Sequence, residues 1–237
     1  MIDLPALPAR LADIRARIGR AADRANRDPS SVRLVAISKT YSADHVRAVA
    51  EAGQVDFGEN KVQEALAKID QTTDLSLRWH LVGHLQSNKA KKAGARFDVV
   101  HSIDDVALIA KLDEAAIAAD RRLDVLVQVD LAGEATKHGA GEHELLPIFE
   151  AARSAQAVRV VGLMLLPPAA DDPEESRPFF RRVREVRERL RDQGVDASLL
   201  TELSMGMSHD FEVAIEEGAT LVRIGAAIFG SRPPPRL

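Results

Sequence analysis

The residue with the most evident chemical potential is Lys39, which stands at the end of a short apolar run. The run begins at Arg33 and stops abruptly at Lys39, which is followed by Thr40 and Tyr41. Runs of this length, rich in β-branched residues, are typical of strands buried on both faces of a parallel sheet. An amine at the end of such a strand can have its basicity adjusted by its neighbours and then form Schiff bases. Taken alone, the stretch better suits a solvated lysine at the start of a loop.

Two later segments carry small and hydroxylated residues of the kind that bind anions. The first contains Ser204, Gly206 and Ser208, which can offer hydroxyl groups and close backbone approach. The second contains Gly225 and Ala226, whose backbone N–H groups would lie at the start of a helical turn and could bind a phosphate. Either segment alone could also be a purely structural turn.

The elements that would position these residues alternate regularly between helix and strand. Apolar residues at helical spacing predict an amphipathic helix within residues 4–27, ahead of the first strand. Strands are predicted over residues 33–38, 55–57, 79–82, 97–101, 124–131, 158–165, 199–203 and 220–224. Helices are predicted over residues 42–52, 60–69, 86–93, 104–119, 142–154, 174–193 and 208–217. In the long helix, the apolar stripe that would face the core consists of Phe179, Val183, Val186 and Leu190.

Eight strand–helix units in 237 residues predict an α/β fold, a single (β/α)8 TIM barrel with an extra N-terminal helix. Such barrels usually take roughly 250 residues. An open doubly wound sheet is the alternative, but the glycine-rich fingerprint of its dinucleotide-binding form is missing after strand one. We therefore expect one domain over residues 1–237, with the extra helix within 1–30 and a proline-rich tail at 231–237.

In such a barrel the loops after the strands meet around one mouth, where the chemistry is done. Lys39 would face the segments after strands seven and eight, where barrels of this kind frequently bind phosphate. A lysine opposite a phosphate site suggests pyridoxal phosphate, whose aldehyde would join the amine. The histidines near predicted strand ends, His80, His84 and His101, lack helical ligand spacing, so no metal site is expected.

Composition excludes several other classes of protein. The hydrophobic fraction of 46% is sufficient for a full core. A formal net charge of -4, with both signs interspersed, argues against a nucleic-acid binder. The chain has no cysteine, which rules out disulfides and thiolate metal sites. Neither a signal-peptide pattern nor an apolar run of membrane-spanning length is evident, so we expect a cytoplasmic protein that does not bind membranes.

Several motifs together resemble the pyridoxal-phosphate homeostasis protein family. They run in one order along nearly the whole chain: VAISKT (35–40), FGEN (57–60), VQE (62–64), WH (79–80), GHLQSNK (83–89), GLM (162–164), LSMGMS (203–208) and VRIGAAIFG (222–230). The resemblance implies a barrel similar to the amino-terminal domain of bacterial alanine racemase. Members of the family are thought to buffer, carry or hand on the cofactor and so balance vitamin B6 pools, without clear catalytic turnover.

The resemblance also implies a set of site residues. The cofactor pyridoxal 5'-phosphate would be held as an internal aldimine on Lys39, with Arg223 at the pyridine nitrogen and Asn60 nearby. The residues implied at the phosphate are Ser204, Ser208, Gly225 and Ala226. Lys137 matches a second lysine suspected of cofactor transfer, which makes apo forms of enzymes that use this cofactor possible acceptors. The protein is expected to be a monomer.

Two positions depart from the commonest family pattern. Asp130 stands where an asparagine is usual, and Ala226 stands where a threonine is frequent. The second departure removes a hydroxyl contact to the phosphate but leaves the backbone N–H. It therefore bears on the affinity for the cofactor rather than on the existence of the site.

The alternative function is that of an enzyme, an amino-acid racemase or decarboxylase on the same barrel. Racemisation needs bases on both faces of the substrate α-carbon, and in the similar racemase the second base is a tyrosine from outside the barrel domain. This chain has one tyrosine, Tyr41, two residues from the lysine, and no second domain is expected after the eighth unit. A third, less favoured interpretation is an interaction module with a vestigial site.

Overall fold

The structure is a computed structural model that describes residues 4–131 and 138–230. Its eight strands form a closed parallel barrel in chain order, with β8 returning to pair with β1. The strands are β1 (Arg33–Ile37), β2 (Asp56–Glu59), β3 (Arg78–Leu81), β4 (Val99–Ile103), β5 (Leu123–Val129), β6 (Val158–Leu165), β7 (Glu202–Met207) and β8 (Leu221–Ile224). The predicted (β/α)8 barrel is confirmed.

Helices surround the barrel and cover its outer face. They are α1 (Leu7–Arg24), α2 (Ala43–Glu51), α3 (Val62–Gln71), α4 (Ala90–Arg96), α5 (Val106–Ala118), α6 (Glu142–Ala152), α7 (Arg177–Asp192), α8 (Phe211–Glu216) and α9 (Ala226–Phe229). The extra helix α1 buries Leu7, Leu11 and Ile14 almost completely. It is tied to α8 by an ion pair between Arg17 and Glu212 at 3.1 Å. No helix among the described residues is both long and apolar enough to cross a membrane.

The seventh strand differs most from its predicted position. Residues 197–199 form a 3-10 turn, in which the Asp196 side chain accepts a hydrogen bond from the Ser198 N–H. The strand begins only at Glu202 and continues through Met207. Its small and polar residues were predicted to be a loop, but their backbone pairs with β6 and β8. Ser204 therefore lies within a strand and not in the loop after it.

The stripe predicted on α7 is correct except at its first position. The phenyl ring that is completely buried belongs to Phe180, whereas Phe179 is only partly covered. Phe180 is in phase with the buried residues Val183 and Val186, because residues three apart lie on one helical face. Two adjacent phenylalanines fit the helical period almost equally well, which is why the spacing could not separate them.

The two rims of the barrel have different residues. The rim at the amino ends of the strands carries ion pairs between strands. Arg159 of β6 pairs with Asp124 of the neighbouring β5 at 2.9 Å, and Arg33 of β1 reaches past β8 to Glu202 of β7 at 2.5 Å. The opposite charges in each of these ion pairs balance one another. The opposite rim, where the strands end, holds Lys39 and the loops predicted to bind anions, so this is where the site must be sought.

Candidate functional site

A cavity of about 450 Å³ opens at the carboxyl ends of the strands. Its wall includes residues from the ends of β1, β2, β7 and β8, the four strands that lie side by side on one half of the barrel. The polar and small residues that line it include Lys39, Asn60, Ser208, Arg223, Gly225 and Ala226. The barrel topology thus brings together groups that are far apart in the chain.

The backbone around Lys39 is held in an unusual conformation. Thr40 has a φ of 72°, in the left-handed region that β-branched residues rarely adopt. The Thr40 N–H donates a hydrogen bond of 2.5 Å to Oε1 of Glu64, on helix α3. On the other side of the lysine, the buried Ser38 hydroxyl donates to Glu59 Oε1 at 2.6 Å. Both neighbours of Lys39 are therefore fixed by acidic side chains.

A buried lysine joins these two acids. Lys68 Nζ donates to Glu59 Oε1 at 2.6 Å, to Glu64 Oε1 at 2.9 Å and to the Ser38 carbonyl at 2.7 Å. We call Ser38, Glu59, Glu64 and Lys68 the lysine-support cluster. Burial raises the pKa of the Glu59 carboxyl, although the Lys68 ammonium acts in the opposite direction. Burial would also raise the pKa of Glu64, but hydrogen bonds from Lys68 and Thr40 outweigh it and leave this pKa lowered.

The turn after β8 directs backbone N–H groups at one point. The N–H groups of Gly225 and Ala227 both reach the Ser208 hydroxyl oxygen, at 3.2 and 3.4 Å. A Cβ on Gly225 would lie 3.2 Å from the Ile37 carbonyl oxygen, so glycine lets the turn pack against β1. Converging N–H groups and a hydroxyl are what an anion such as a phosphate requires.

The guanidinium of Arg223 forms part of the cavity floor. It is buried, and it donates to the Ser204 hydroxyl at 2.5 Å and to the Leu165 carbonyl at 2.8 Å. Burial lowers the pKa of Arg223 to about 10, which still leaves the group charged at neutral pH. Ser204 is not among the residues that line the cavity, because its hydroxyl lies inside the barrel.

From Arg223 a chain of hydrogen bonds descends through the barrel. Ser204 Oγ lies 2.9 Å from His101 Nδ1, His101 Nε2 lies 2.8 Å from His80 Nδ1, and His80 Nε2 lies 2.9 Å from Asp56 Oδ1. We call Arg223, Ser204, His101, His80 and Asp56 the interior hydrogen-bond chain. Burial lowers the pKa of His80 and that of His101, the latter strongly, so both rings are neutral near pH 7.

Tyr41 closes the side of the cavity next to the lysine. Its hydroxyl donates to the Gly230 carbonyl at 2.7 Å, and its ring stacks on Phe229 with centroids 5.1 Å apart. The side chain is nearly buried although it lines the cavity. The phenolic proton is thus already bound to a backbone acceptor.

Six of the seven cofactor-binding residues predicted from the sequence line the cavity, and Ser204 contacts it only through Arg223. Lys137 lies outside the described residues. Sequence reasoning missed the apolar wall formed by Val82 and Leu166. These residues directly follow β3 and β6, and their position at strand ends was the available signal. The structure also gives Glu59 and Glu64 a place in the lysine-support cluster, which the motif alone did not reveal.

Comparison with known proteins agrees with this architecture. Residues 9–233 match the family model described as alanine racemase, N-terminal domain. The pyridoxal phosphate homeostasis protein of Aquifex aeolicus (strain VF5) is 42% identical, over 94% of this chain and 97% of the relative. That of Pseudomonas aeruginosa is 43% identical, over 94% of each chain.

Solved structures give the same result at the level of fold. The structure of PipY of Synechococcus elongatus PCC7942, with PLP bound, matches with a TM-score of 0.84 and 39% identity, over 94% of this chain and 100% of that chain. Alanine racemase from Corynebacterium glutamicum is only 19% identical, with a TM-score of 0.72, and this chain covers 64% of it. The latter likeness concerns the fold alone.

The fold is a barrel of the alanine racemase N-terminal domain type, with a lysine and a glycine turn at its mouth. Within that class the chain is similar to proteins of almost its own length, since these relatives are covered over 97% and 94% of their sequences. The chain belongs to the pyridoxal phosphate homeostasis protein family.

The lysine-support cluster generates a prediction about stability. Replacing Lys68 by methionine leaves the buried Glu59 and its neighbour Glu64 without their shared ammonium donor. Removing one partner of a buried ion pair typically costs about 3–5 kcal/mol, and we expect a loss of this order in the free energy of unfolding. Urea denaturation followed by circular dichroism measures it.

The matched control is Lys92→Met, an identical change at an exposed position of α4. Surface substitutions usually change stability by no more than about 0.5 kcal/mol. If Lys68→Met destabilised the protein no more than Lys92→Met, the cluster would not support the fold as described.

Proposed function

We propose that this protein binds pyridoxal 5'-phosphate at the barrel mouth and acts as a carrier or buffer of this cofactor in vitamin B6 homeostasis. The observation that carries the proposal is the cavity that Lys39, Arg223 and the Gly225 turn line together, with the N–H groups of Gly225 and Ala227 directed at the Ser208 hydroxyl. The names of the relatives and the PLP bound to PipY support it.

The residues present suit the chemistry of the cofactor. Its phosphate carries negative charge, and none of the described residues that line the cavity is acidic, whereas Lys39 and Arg223 are cationic. Gly225, Ala227 and Ser208 offer the polar groups that would bind phosphate oxygens. Val82 and Leu166 offer an apolar surface on which an aromatic ring can pack.

Lys39 would supply the covalent link. Its amine would hold the cofactor through the aldehyde carbon, as a carbon–nitrogen double bond formed with loss of water. The lysine-support cluster holds the backbone on both sides of Lys39, which limits where the amine can lie. Asn60 lines the same cavity and would contact the bound molecule.

We further propose that the protein does not turn over amino acids. Carbanion chemistry with this cofactor is favoured by a protonated pyridine nitrogen, which an acidic partner stabilises. Arg223 has only donors, so it would bind the nitrogen in its unprotonated form. Alanine racemase works with a similar arginine, so this feature alone does not prevent catalysis. The second base is the other requirement, and the hydroxyl of Tyr41 donates to the Gly230 carbonyl instead.

The carrier function includes transfer of the bound cofactor to an acceptor protein. Apo forms of enzymes that use the cofactor are the proposed acceptors, and Lys137 is the proposed second lysine. The cavity is open at the rim, which would let the cofactor leave without unfolding of the barrel. A slow exchange of cofactor from this protein onto an added apo-enzyme would support the carrier function.

The covalent link can be tested by substitution. Purified protein should be yellow, and borohydride should fix a pyridoxyl group on the peptide that contains Lys39. We expect Lys39→Ala to lose both the visible absorption band and the trapped adduct, while Lys91→Ala, a change at an exposed lysine of α4, keeps both. An unchanged band and adduct in Lys39→Ala would show that another group holds the cofactor.

Recognition of the phosphate can be tested with a shortened ligand. Charge-assisted hydrogen bonds contribute about 1.5–3 kcal/mol each, and about 1.4 kcal/mol corresponds to a factor of ten in affinity. Pyridoxal, which lacks the phosphate, should therefore bind about tenfold or more weakly by equilibrium titration. Equal dissociation constants for the two ligands would remove the phosphate site.

The location of the phosphate site is tested by placing a negative charge in the turn. We expect Gly225→Asp to weaken binding of pyridoxal 5'-phosphate because the new carboxylate would repel the phosphate. Gly19→Asp is the control, since Gly19 lies on α1 and a Cβ there would meet nothing within 4 Å. Equal affinities of the two variants would place the phosphate elsewhere.

The absence of turnover is directly measurable. Racemase, decarboxylase and transaminase assays with common amino acids should stay below about 1 s⁻¹, the low end of typical enzymes. Steady turnover above that rate, abolished by Lys39→Ala, would establish an enzyme and reject this part of the proposal.

A further inference from the structure

On the rim of the barrel, two imidazoles and one carboxylate from three different loops come together. They belong to His84, after β3, to Asp104, after β4, and to His138, after β5. One potential ligand atom from each lies within 4.8 Å of the other two. We propose that His84, Asp104 and His138 form a binding site for a divalent transition-metal ion of the Zn²⁺ class, independent of the cofactor site.

The distances suit a shared ion. His84 Nδ1 lies 3.6 Å from Asp104 Oδ2, and the two imidazole rings lie face to face with centroids 3.5 Å apart. Ligands at about 2.0–2.2 Å from one Zn²⁺ in tetrahedral geometry lie a little over 3 Å from one another. The two rings are stacked with an interplanar angle of 10°, so both side chains would rotate on binding to turn a nitrogen of each ring toward one ion beside the carboxylate.

The backbone that carries these residues is held by buried groups. The Ser102 hydroxyl of β4 donates to the carbonyl of Gly83, the residue before His84, at 2.8 Å. A Cβ on Gly83 would lie 2.3 Å from the Asn60 carbonyl oxygen, so this loop packs directly on the residue that follows β2. The side-chain amide of Gln128, in β5, donates to the His138 carbonyl. The loops are thus fixed by strand residues, which is the kind of support that a metal site needs.

The electrostatics favour a cation between the three groups. The Asp104 side chain is only 17% exposed, and its carboxylate lies 3.6 Å from Nδ1 of His84. A metal ion would neutralise the half-buried carboxylate and bind the lone pairs of both imidazoles.

The donor set determines the class of metal. Imidazole nitrogens favour Zn²⁺, Co²⁺, Ni²⁺ and Cu²⁺ over Mg²⁺ and Ca²⁺, which prefer oxygen ligands. Two histidines and one aspartate supply three positions of a tetrahedron and leave the fourth for water or an external ligand. The expectation from the sequence was that no metal site exists, because helical spacing between histidines is missing. Ligands from three separate loops need no such spacing.

Titration with ZnCl₂ by isothermal calorimetry on the full-length protein tests the proposal. We expect one ion per chain, and about tenfold or greater loss of affinity in each of His84→Ala, Asp104→Asn and His138→Ala. The control is His143→Ala, which removes an exposed histidine outside the cluster and should bind Zn²⁺ as the parent does. Lys39→Ala should also bind normally, which separates the site from metal held by a cofactor on Lys39.

Circular dichroism establishes that each variant folds, and a variant that fails to fold is replaced by glutamine at the same position. Failure to bind Zn²⁺ would overturn the proposal. It would also be overturned if His143→Ala lost as much affinity as His138→Ala, since binding would then reflect scattered surface histidines. Loss of Zn²⁺ binding in Lys39→Ala would place the ion at the cofactor site instead.

Discussion

The arrangement of the barrel interior depends on one constraint: a polar group enclosed by eight strands must find its hydrogen bond inside, since an unsatisfied buried group is costly. The Arg223 guanidinium can only donate hydrogen bonds, so the Ser204 hydroxyl must accept one from it. The Ser204 hydroxyl then donates its own hydrogen bond to His101 Nδ1. His101 then donates through Nε2 to His80, and His80 donates to Asp56. Every donor in the chain points away from the mouth. Each of the two neutral histidines therefore has its proton on Nε2, and with these tautomers all five residues have a hydrogen-bond partner. The charged groups, Arg223 and Asp56, lie at the two ends of the chain.

That chain explains why a buried guanidinium is tolerated at the cavity. Burial of the Asp56 carboxyl would raise its pKa, but the hydrogen bond from His80 and the charge of Arg78 leave this pKa lowered, so the chain ends on an anion. Arg78 itself lies 3.5 Å from Asp56 at the opposite rim. The positive end of the chain is therefore at the mouth and the negative end at the base, which makes the cavity suitable for an anionic ligand. The ion pairs on the rim at the amino ends of the strands contribute to this separation of charge and also to the closure of the barrel.

Much of this was predictable from the sequence, and the failures have physical reasons. Alternating apolar runs gave the eight units, and the end of the first run located Lys39, because burial of parallel strands leaves a strong local pattern. Ser204 was assigned to a loop, since small polar residues suit a turn as well as a strand that faces a polar interior. Glu64 and Lys68 lie four residues apart on α3, a spacing at which such ion pairs form. The pairing of Lys68 with Glu59 could not be predicted, because it joins α3 to β2 and depends on how the helix packs on the strand. The contact between His84 and His138 could not be predicted either, because the two residues come together only in the folded barrel.

Binding and catalysis make different demands on the same mouth, and the support around Lys39 serves the first. A strained Thr40 is stable only if surrounding contacts overdetermine it, and here Glu64 holds its N–H while Lys68 holds the Ser38 carbonyl. These contacts fix the backbone on both sides of Lys39 at the cavity before any ligand arrives, which would reduce the ordering cost of binding. Turnover would need in addition a mobile proton on each face of a substrate, whereas the proton of Tyr41 is bound to the backbone and those of the interior chain point away from the cavity. The protons of Tyr41 and Arg223 are therefore held in fixed hydrogen bonds, while the side chains of Lys39 and His209 also line the cavity.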